Sequence, residues 1–281
     1  MGASLPSWKR RGRMYGMKRM IAFLSLAAVV AGCATVPITG RRQLSLVSDS
    51  EVLSSSLSQY RSYMGKAKVS GNRTQSAQVE RVGRRIADAT ERYLRANGLG
   101  KEVSSFAWEF NLVEDKDANA FCMPGGKIVV YTGLMQLVGS DDELAVVLGH
   151  EVAHAVAKHS NERMNQQMVA QAGAAVVGVA TAQRSAMIQS VASGVYGLGA
   201  QYGALLPFSR KHESEADYMG LVLMTMAGYN PEAAPSFWRK MSAKGGGKTP
   251  ELLSTHPSDA TRIAALEKAL PEIRAKYGTG Q

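Results

Sequence analysis

The strongest constraint on this chain is the stretch LGHEVAHAVAKH, Leu148 to His159, which carries three histidines and one glutamate. Residues four apart on an α-helix share a face, with Cβ atoms about 5–6 Å apart. His150 and His154 therefore present two imidazoles to one ion. Glu151 lies off that line but near the open side of the ion. Two nitrogen ligands and a carboxylate able to take a proton from a polarised water are what a zinc hydrolase needs. The plain alternative is a buried helix with two incidental histidines. His159 follows five residues after His154, roughly 140° around the helix. A metzincin would place its third histidine six residues on, with a glycine three residues after the second histidine; those positions hold Ser160 and Ala157. His159 thus reads as a solvated residue of a continuing helix, and the third protein ligand must come from elsewhere. Ser140-Asp141-Asp142-Glu143 reads as a capping box with acids at the positive end of the helix dipole. Leu144, Val147, Leu148 and Val152 supply the apolar face.

The first residues are of another kind. Lys9, Arg10, Arg11, Arg13, Lys18 and Arg19 precede an apolar run from Met20 to Ala31, with no acid before Cys33. A basic stretch followed by a short apolar one is a signal peptide, residues 1–32, and the run is too short for a comfortable transmembrane helix. Met14 and Met17 are alternative starts. The run ends in Val30-Ala31-Gly32-Cys33, which resembles the bacterial lipoprotein signal. Cys33 would then carry acyl chains that hold the protein at a membrane surface. The formal net charge of +10 comes from 33 basic and 23 acidic residues. Without the six basic residues before Cys33 it falls to +4, and no basic cluster marks a nucleic-acid surface. With Cys33 acylated, Cys122 has no intramolecular partner; it reads as a small core residue.

Residues 33–47 read as an irregular arm leading to a helix capped near Ser48, and residues 48–281 as a single domain. Ser76 to Asn97 is helical, with Val79, Val82, Ile86, Tyr93 and Leu94 on its apolar face. Phe106 to Val113 alternates as a strand. Pro124-Gly125-Gly126 turns between two strand patterns, Asn119–Met123 and Lys127–Tyr131. The first of these, Asn119, Ala120, Phe121, Cys122 and Met123, is either part of a structural hairpin or a sheet edge to which an extended peptide adds. Residues 164–206, rich in Ala, Gly, Val and Gln, read as a helical hairpin. It could cover the cleft or touch lipid, but packing against the core is favoured.

FSRKHESEADYMG, Phe208 to Gly220, offers the missing ligand. Glu213 and Asp217 are four apart and share a helical face, while Glu215 projects to the other side. A ligating carboxylate followed one turn on by a second that orients a ligating histidine makes chemical sense. His-His-Glu plus water is the thermolysin-type set. The alternative is an acidic solvated face.

Taken together, HEVAH, SRKHESEAD, NAFCMPGG and STHPSDATRI resemble the zinc metallopeptidase family of the CaaX prenyl protease and HtpX type. The early VPITGRRQLSLVS is similar to its periplasmic lipoprotein branch, the LoiP and BepA type. The resemblance implies a gluzincin fold: mainly α with a small β-sheet (α+β) whose edge borders the active-site helix. It makes Glu213 the third ligand to one Zn2+ per chain and Asp217 its partner one turn on, and puts the glycine-rich hairpin beside the substrate. It places His256 near the metal, either capping the open coordination position or binding the developing oxyanion; otherwise His256 is a turn residue before a helix started at Ser258. Arg262 could orient Asp217 or stabilise charge.

The expectation is a zinc-dependent endopeptidase with Glu151 as general base. It would be lipid-anchored in the bacterial periplasm, by analogy at the outer membrane because Ala34 follows Cys33, and would act on unfolded or extended envelope proteins. The rival is a non-catalytic envelope chaperone or assembly factor that keeps zinc structurally.

Overall fold

The computed structural model describes residues 33–201, 206–243, 252, 256 and 260–278. The basic and apolar leader, residues 1–32, and Ser258 lie outside the described residues. The fold is mainly α with small sheets. The arm is more regular than the sequence suggests. Strands β1 (Cys33–Thr35) and β2 (Arg42–Leu44) pair antiparallel, Cys33 opposite Leu44. The turn between them uses left-handed residues, Ile38 at φ 67° and Gly40 at φ 68°, and drops Val36 into the core, where it is 1% exposed.

Helix α1 (Asp49–Met64) starts at the expected cap: the Ser48 side chain accepts from the Glu51 N–H, and Glu51 reaches back to Ser48. Helix α2 (Arg73–Ala96) begins three residues before Ser76 because Asn72 caps it, accepting from the Gln75 N–H at 3.1 Å. Val79, Val82, Ile86 and Leu94 are buried on its inner face. After a short helix α3 (Gly100–Val103) comes a three-stranded sheet of β3 (Glu109–Val113), β4 (Ala120–Met123) and β5 (Lys127–Tyr131). Its order is β3-β5-β4, with β5 parallel to β3 and antiparallel to β4, so β4 is an edge.

A short helix α4 (Thr132–Met135) leads to α5 (Asp141–Val156). Ser140 caps α5 by accepting from the Glu143 N–H at 3.2 Å. The reciprocal half of the box differs: the Glu143 carboxylate accepts from the Gly139 N–H, at 2.6 Å, and pairs with Lys240. Helix α5 is buried on almost every side, between the sheet, α2, and two later helices, α8 (Leu206–Met226) and α9 (Ala233–Ala243). The last helix, α10 (Ala260–Tyr277), packs on α8 and α9.

Two expectations are corrected here. The active-site helix does not continue through His159: α5 ends at Val156 and Lys158 adopts a left-handed conformation, φ 55° and ψ 37°, before α6 (His159–Thr181) starts in a new direction. Lys158 is held there by Asp49 at 2.6 Å and Glu102 at 2.7 Å. That corner turns the His159 ring inward, to 1% exposure, instead of leaving it in solvent. The hairpin of α6 and α7 (Ala186–Ala200) does not pack against the core as expected; its two helices pair chiefly with each other. Only His159, Asn161, Glu162 and Asn165 at the base of α6 are buried, while Val176, Val179, Met187 and Val191 are exposed. Small residues let the two helices approach, with Gly173 lying against the Tyr196 hydroxyl, but supply few large side chains to bury on the core. No helix among the described residues is long and apolar enough to cross a membrane.

Helices α5 and α8 touch through their backbones. A Cβ on Gly149 would lie 2.9 Å from the Gly220 carbonyl oxygen, and one on Gly220 would lie 2.9 Å from the His150 nitrogen. Overpacking a filled contact costs about 1–3 kcal/mol, and in a domain of this size each kcal/mol lowers the melting temperature by roughly 2–4 °C. Gly149→Ala is therefore expected to melt several degrees below wild type by circular dichroism. An unchanged melting temperature would mean that the helices separate there without cost.

Candidate metal centre

The contact at Gly149 and Gly220 sets α5 and α8 so that His150 and His154 face Glu213, two turns before the crossing. His256 closes the group. One ligand atom from each of His150, His154, Glu213 and His256 lies within 4.8 Å of the other three. The two imidazole Nε2 atoms are 3.1 Å apart. Glu213 Oε2 is 3.3 Å from His150 Nε2, and Glu213 Oε1 is 3.5 Å from His154 Nε2. Two ligands at about 2.05 Å from a tetrahedral ion stand about 3.3 Å from each other, so these spacings suit one cation at the centre. The donor chemistry agrees. Glu213 Oε1 is buried without a hydrogen-bond partner, a costly state that a cation removes.

Second contacts orient each imidazole. His150 Nδ1 lies 3.1 Å from Asp217 Oδ1. Asp217 in turn accepts from Arg262, Nε at 2.7 Å and Nη2 at 2.8 Å. The expected carboxylate behind a histidine is thus in place one turn after Glu213, and Arg262 grips it with two bonds. The Arg262 guanidinium also lies over the Trp238 ring, 5.5 Å from its centroid, while that indole stands edge-on to His150. His154 Nδ1 lies 2.9 Å from His159 Nδ1, and His159 Nε2 is 3.1 Å from Glu215 Oε2. Glu215 does project away from Glu213, but into this second network and not into solvent. The network ends on Arg41, which donates to Glu215 at 2.7 Å and to both oxygens of Glu162 at 2.9 and 2.6 Å; His212 Nε2 is 2.9 Å from Glu162. His159, His212, Glu162 and Arg41 were not singled out as site residues by the sequence. The signal the sequence offers is local: His159, Glu162 and Arg163 crowd the start of α6, and His212, Glu213, Glu215 and Asp217 fall close together in α8.

Glu151 stands on the open side. Its Oε2 accepts the Cys122 N–H at 3.1 Å, its Oε1 is buried without a hydrogen bond, and His256 Nε2 is 3.5 Å away. Burial pushes the Glu151 carboxyl above its ordinary pKa against the pull of nearby imidazoles, which makes it a better proton acceptor. Burial, helped by Glu151, also raises the Cys122 thiol well above its usual range, so Cys122 is no nucleophile. The Cys122 N–H is on the free side of edge strand β4, aimed at the site. Cys33, the expected acylation point, is the first residue of β1.

The sequence matches Peptidase family M48 over residues 73–270. The chain belongs to peptidase family M48. Residues 17–34 match a prokaryotic membrane lipoprotein lipid attachment site. The chain is 35% identical over 249 residues to the mitochondrial metalloendopeptidase OMA1 of Schizosaccharomyces pombe, a match covering 87% of this chain and 68% of that one. It is 30% identical to human metalloendopeptidase OMA1 over 84% of this chain and 45% of the relative. The β-barrel assembly-enhancing protease of Escherichia coli is 28% identical over 63% of this chain and 39% of its own length. The M48 chain described here is a metal-dependent endopeptidase, with a lipoprotein attachment site characteristic of the bacterial envelope.

Its metal centre has a pH signature. In the metal-free protein, burial pulls the His150 pKa down, but Asp217 and Glu213 outweigh it and hold it up at about 9. Because this lies above the unfolded value of 6.5, the protonated pair stabilises the metal-free fold fully below pH 6.5, and that contribution is lost as pH rises through 9. A bound ion must displace the same proton, so its hold strengthens over the same window. The gap in melting temperature between metal-loaded and metal-stripped protein is expected to widen from pH 6.5 to 9 and then level off. Paired thermal melts with and without chelator measure it; a gap that narrows as pH rises contradicts this account.

Proposed function

We propose that this M48 chain is a zinc endopeptidase of the bacterial periplasm, held by acyl chains on Cys33 after removal of residues 1–32 and working on unfolded or unassembled envelope proteins. The observation that carries the reading is the set His150, His154 and Glu213 with the Glu151 carboxylate poised beside it. One glutamate and two histidines suit zinc over harder ions. A zinc ion in that set supplies Lewis acidity that polarises a peptide carbonyl and a water molecule. The protein does the rest. Asp217 and Arg262 hold His150 in the tautomer with Nε2 free. Glu151 takes the proton of the attacking water and passes it to the leaving amine. Residues 119–123 include β4, which has no strand on its far side; an extended substrate adds there by replacing local contacts such as that of the Cys122 N–H with Glu151, which favours unfolded chains over folded ones. A shallow hollow beside His154, lined by Leu53, Phe106 and Pro124, offers apolar surface to a substrate side chain next to the cleaved bond. Attachment at Cys33, followed by Ala34, favours the outer membrane. The name of the Escherichia coli relative ties that protein to β-barrel assembly, and the same envelope setting supports a quality-control role here.

A second reading rests on His256. Its Nδ1 is 2.9 Å from Glu213 Oε2 and 3.3 Å from His150 Nε2, close enough to serve as a fourth ligand. That closes the coordination shell, as in a resting enzyme or a purely structural zinc site. An intact Glu151 favours the enzyme, because a structural ion needs no base.

The test incubates the detergent-solubilised lipoprotein with an unfolded polypeptide and follows fragments by mass spectrometry. Cleavage is expected to stop with chelator and to fall by about 10²–10⁴ in Glu151→Gln, with zinc still bound. Equal cleavage by wild type and Glu151→Gln would remove the catalytic reading. If His256 caps a resting site, His256→Ala raises or preserves turnover; if it binds the oxyanion, turnover drops.

A further inference from the structure

We propose that Arg41, in the arm just after the lipid-attachment cysteine, is a positioning residue for the metal: through Glu215 and His159 it fixes the imidazole of His154. The inference rests on the reading of His154 as a metal ligand and extends it to a part of the chain outside the 73–270 family match.

The donors run in one direction. Arg41 Nε donates to Glu215 Oε2 at 2.7 Å, and the Thr39 hydroxyl donates to Glu215 Oε1. With cationic and hydroxyl donors on it, Glu215 is an ionised acceptor. His159 Nε2, 3.1 Å from the same carboxylate, therefore carries the proton. The Nδ1 lone pair of His159 then accepts from His154 Nδ1–H across 2.9 Å. The outcome is that His154 presents Nε2 as a lone pair to the site. His150 reaches the same tautomer by bonding a carboxylate directly; His154 reaches it through one intervening imidazole. Partners of this kind behind a ligating histidine set ring orientation and basicity, and their loss costs about 10–100-fold in metal affinity.

Arg41 anchors the far end. Its guanidinium has Glu215 on one side and both oxygens of Glu162 on the other, and these carboxylates are 6% and 3% exposed. The planar fork matches this double task, which a lysine cannot reproduce. The His159 and His212 rings stack at 4.4 Å between the two carboxylates, so the network is tied across α6 and α8. The arm itself is seated by its own contacts: Val36 lies in the core, and the Asn165 side chain bonds the Leu44 carbonyl and the Leu46 and Val47 N–H groups. Cys33, opposite Leu44 on the paired strand, is eight residues from Arg41. The segment that reaches the membrane anchor is thereby also the segment that completes the environment of a metal ligand.

The experiment measures zinc affinity by chelator competition, and the visible spectrum of the Co²⁺-substituted protein, on the full lipoprotein in detergent. The proteins are wild type, Arg41→Ala, Arg41→Lys, His159→Ala and the double variant Arg41→Ala/His159→Ala. Arg41→Ala is expected to bind zinc about 10–100-fold more weakly, with a shifted Co²⁺ spectrum, and Arg41→Lys to recover only part of the loss. Because Arg41 acts through His159, the double variant should be no weaker than His159→Ala alone, the non-additivity of a shared pathway. Thr39→Val, which removes one donor to Glu215, gives the same direction with a smaller effect and serves if Arg41→Ala does not fold. Wild-type affinity and spectrum in Arg41→Ala or Thr39→Val, or fully additive losses in the double variant, would overturn the inference. Absence of stoichiometric zinc in the wild type would instead bring down the metal reading on which it rests.

Discussion

The backbone contact of α5 with α8 at Gly149 and Gly220 is the constraint from which the rest follows. Glutamate and histidine side chains reach only a few ångströms, so the helices that carry them must nearly touch for three of them to meet at one point. Glycine at both positions removes the atoms that would hold the axes apart. With the crossing fixed, helical periodicity does the remaining work: His150 sits beside Gly149, His154 one turn further, and Glu213 two turns before Gly220. Near-complete burial of α5 keeps the geometry rigid, because every neighbour of that helix is itself packed.

Burying so many ionisable groups carries a desolvation cost that only mutual bonding offsets. The two networks meet it in different ways. Around His150 the solution is compact, one carboxylate and one guanidinium, with Trp238 as an apolar wall. Around His154 it is extended, running through a second histidine to a pair of glutamates bridged by Arg41. Those glutamates stay ionised despite burial: imidazole, guanidinium and, for Glu215, hydroxyl donors overcome desolvation and hold both carboxyls down at about 2. The ring of His154 is thus held by charge balance assembled from three separate stretches of chain.

Much of this was legible in the sequence, and the reasons for the exceptions are physical. The i, i+4 spacing of His150 and His154, and of Glu213 and Asp217, translates directly into shared helical faces, and the structure puts those faces together. Lys127–Tyr131 reads as a strand from its β-branched run and is one. The position of His159 is not legible, because a single left-handed residue at Lys158 invalidates any angular count past it, and a lysine there gives no warning where a glycine would. Helical spacing puts Glu215 on the side opposite Glu213 and Asp217, as found, but cannot say what fills that space, which comes from α6 and from the arm. The arm's role could not be read locally either, because it depends on Arg41 meeting residues more than a hundred positions away. The stand-off of the α6–α7 hairpin was likewise hidden: composition shows that small residues pair well, not against what.

The corner at Lys158 has a mechanical meaning. A non-glycine residue in the left-handed region costs roughly 1–2 kcal/mol, and here the conformation is held by an ammonium shared between Asp49 and Glu102. It is a stiff elbow, with α1 and the segment after α2 bracing it from outside. Beyond the elbow α6 runs for 23 residues, about 35 Å at 1.5 Å per residue, most of it away from the core. Its very first residue touches His154. The bracing of that corner by Asp49 and Glu102 therefore also fixes where the His159 ring meets His154, and the exposed length of α6 is anchored at a single, rigid end.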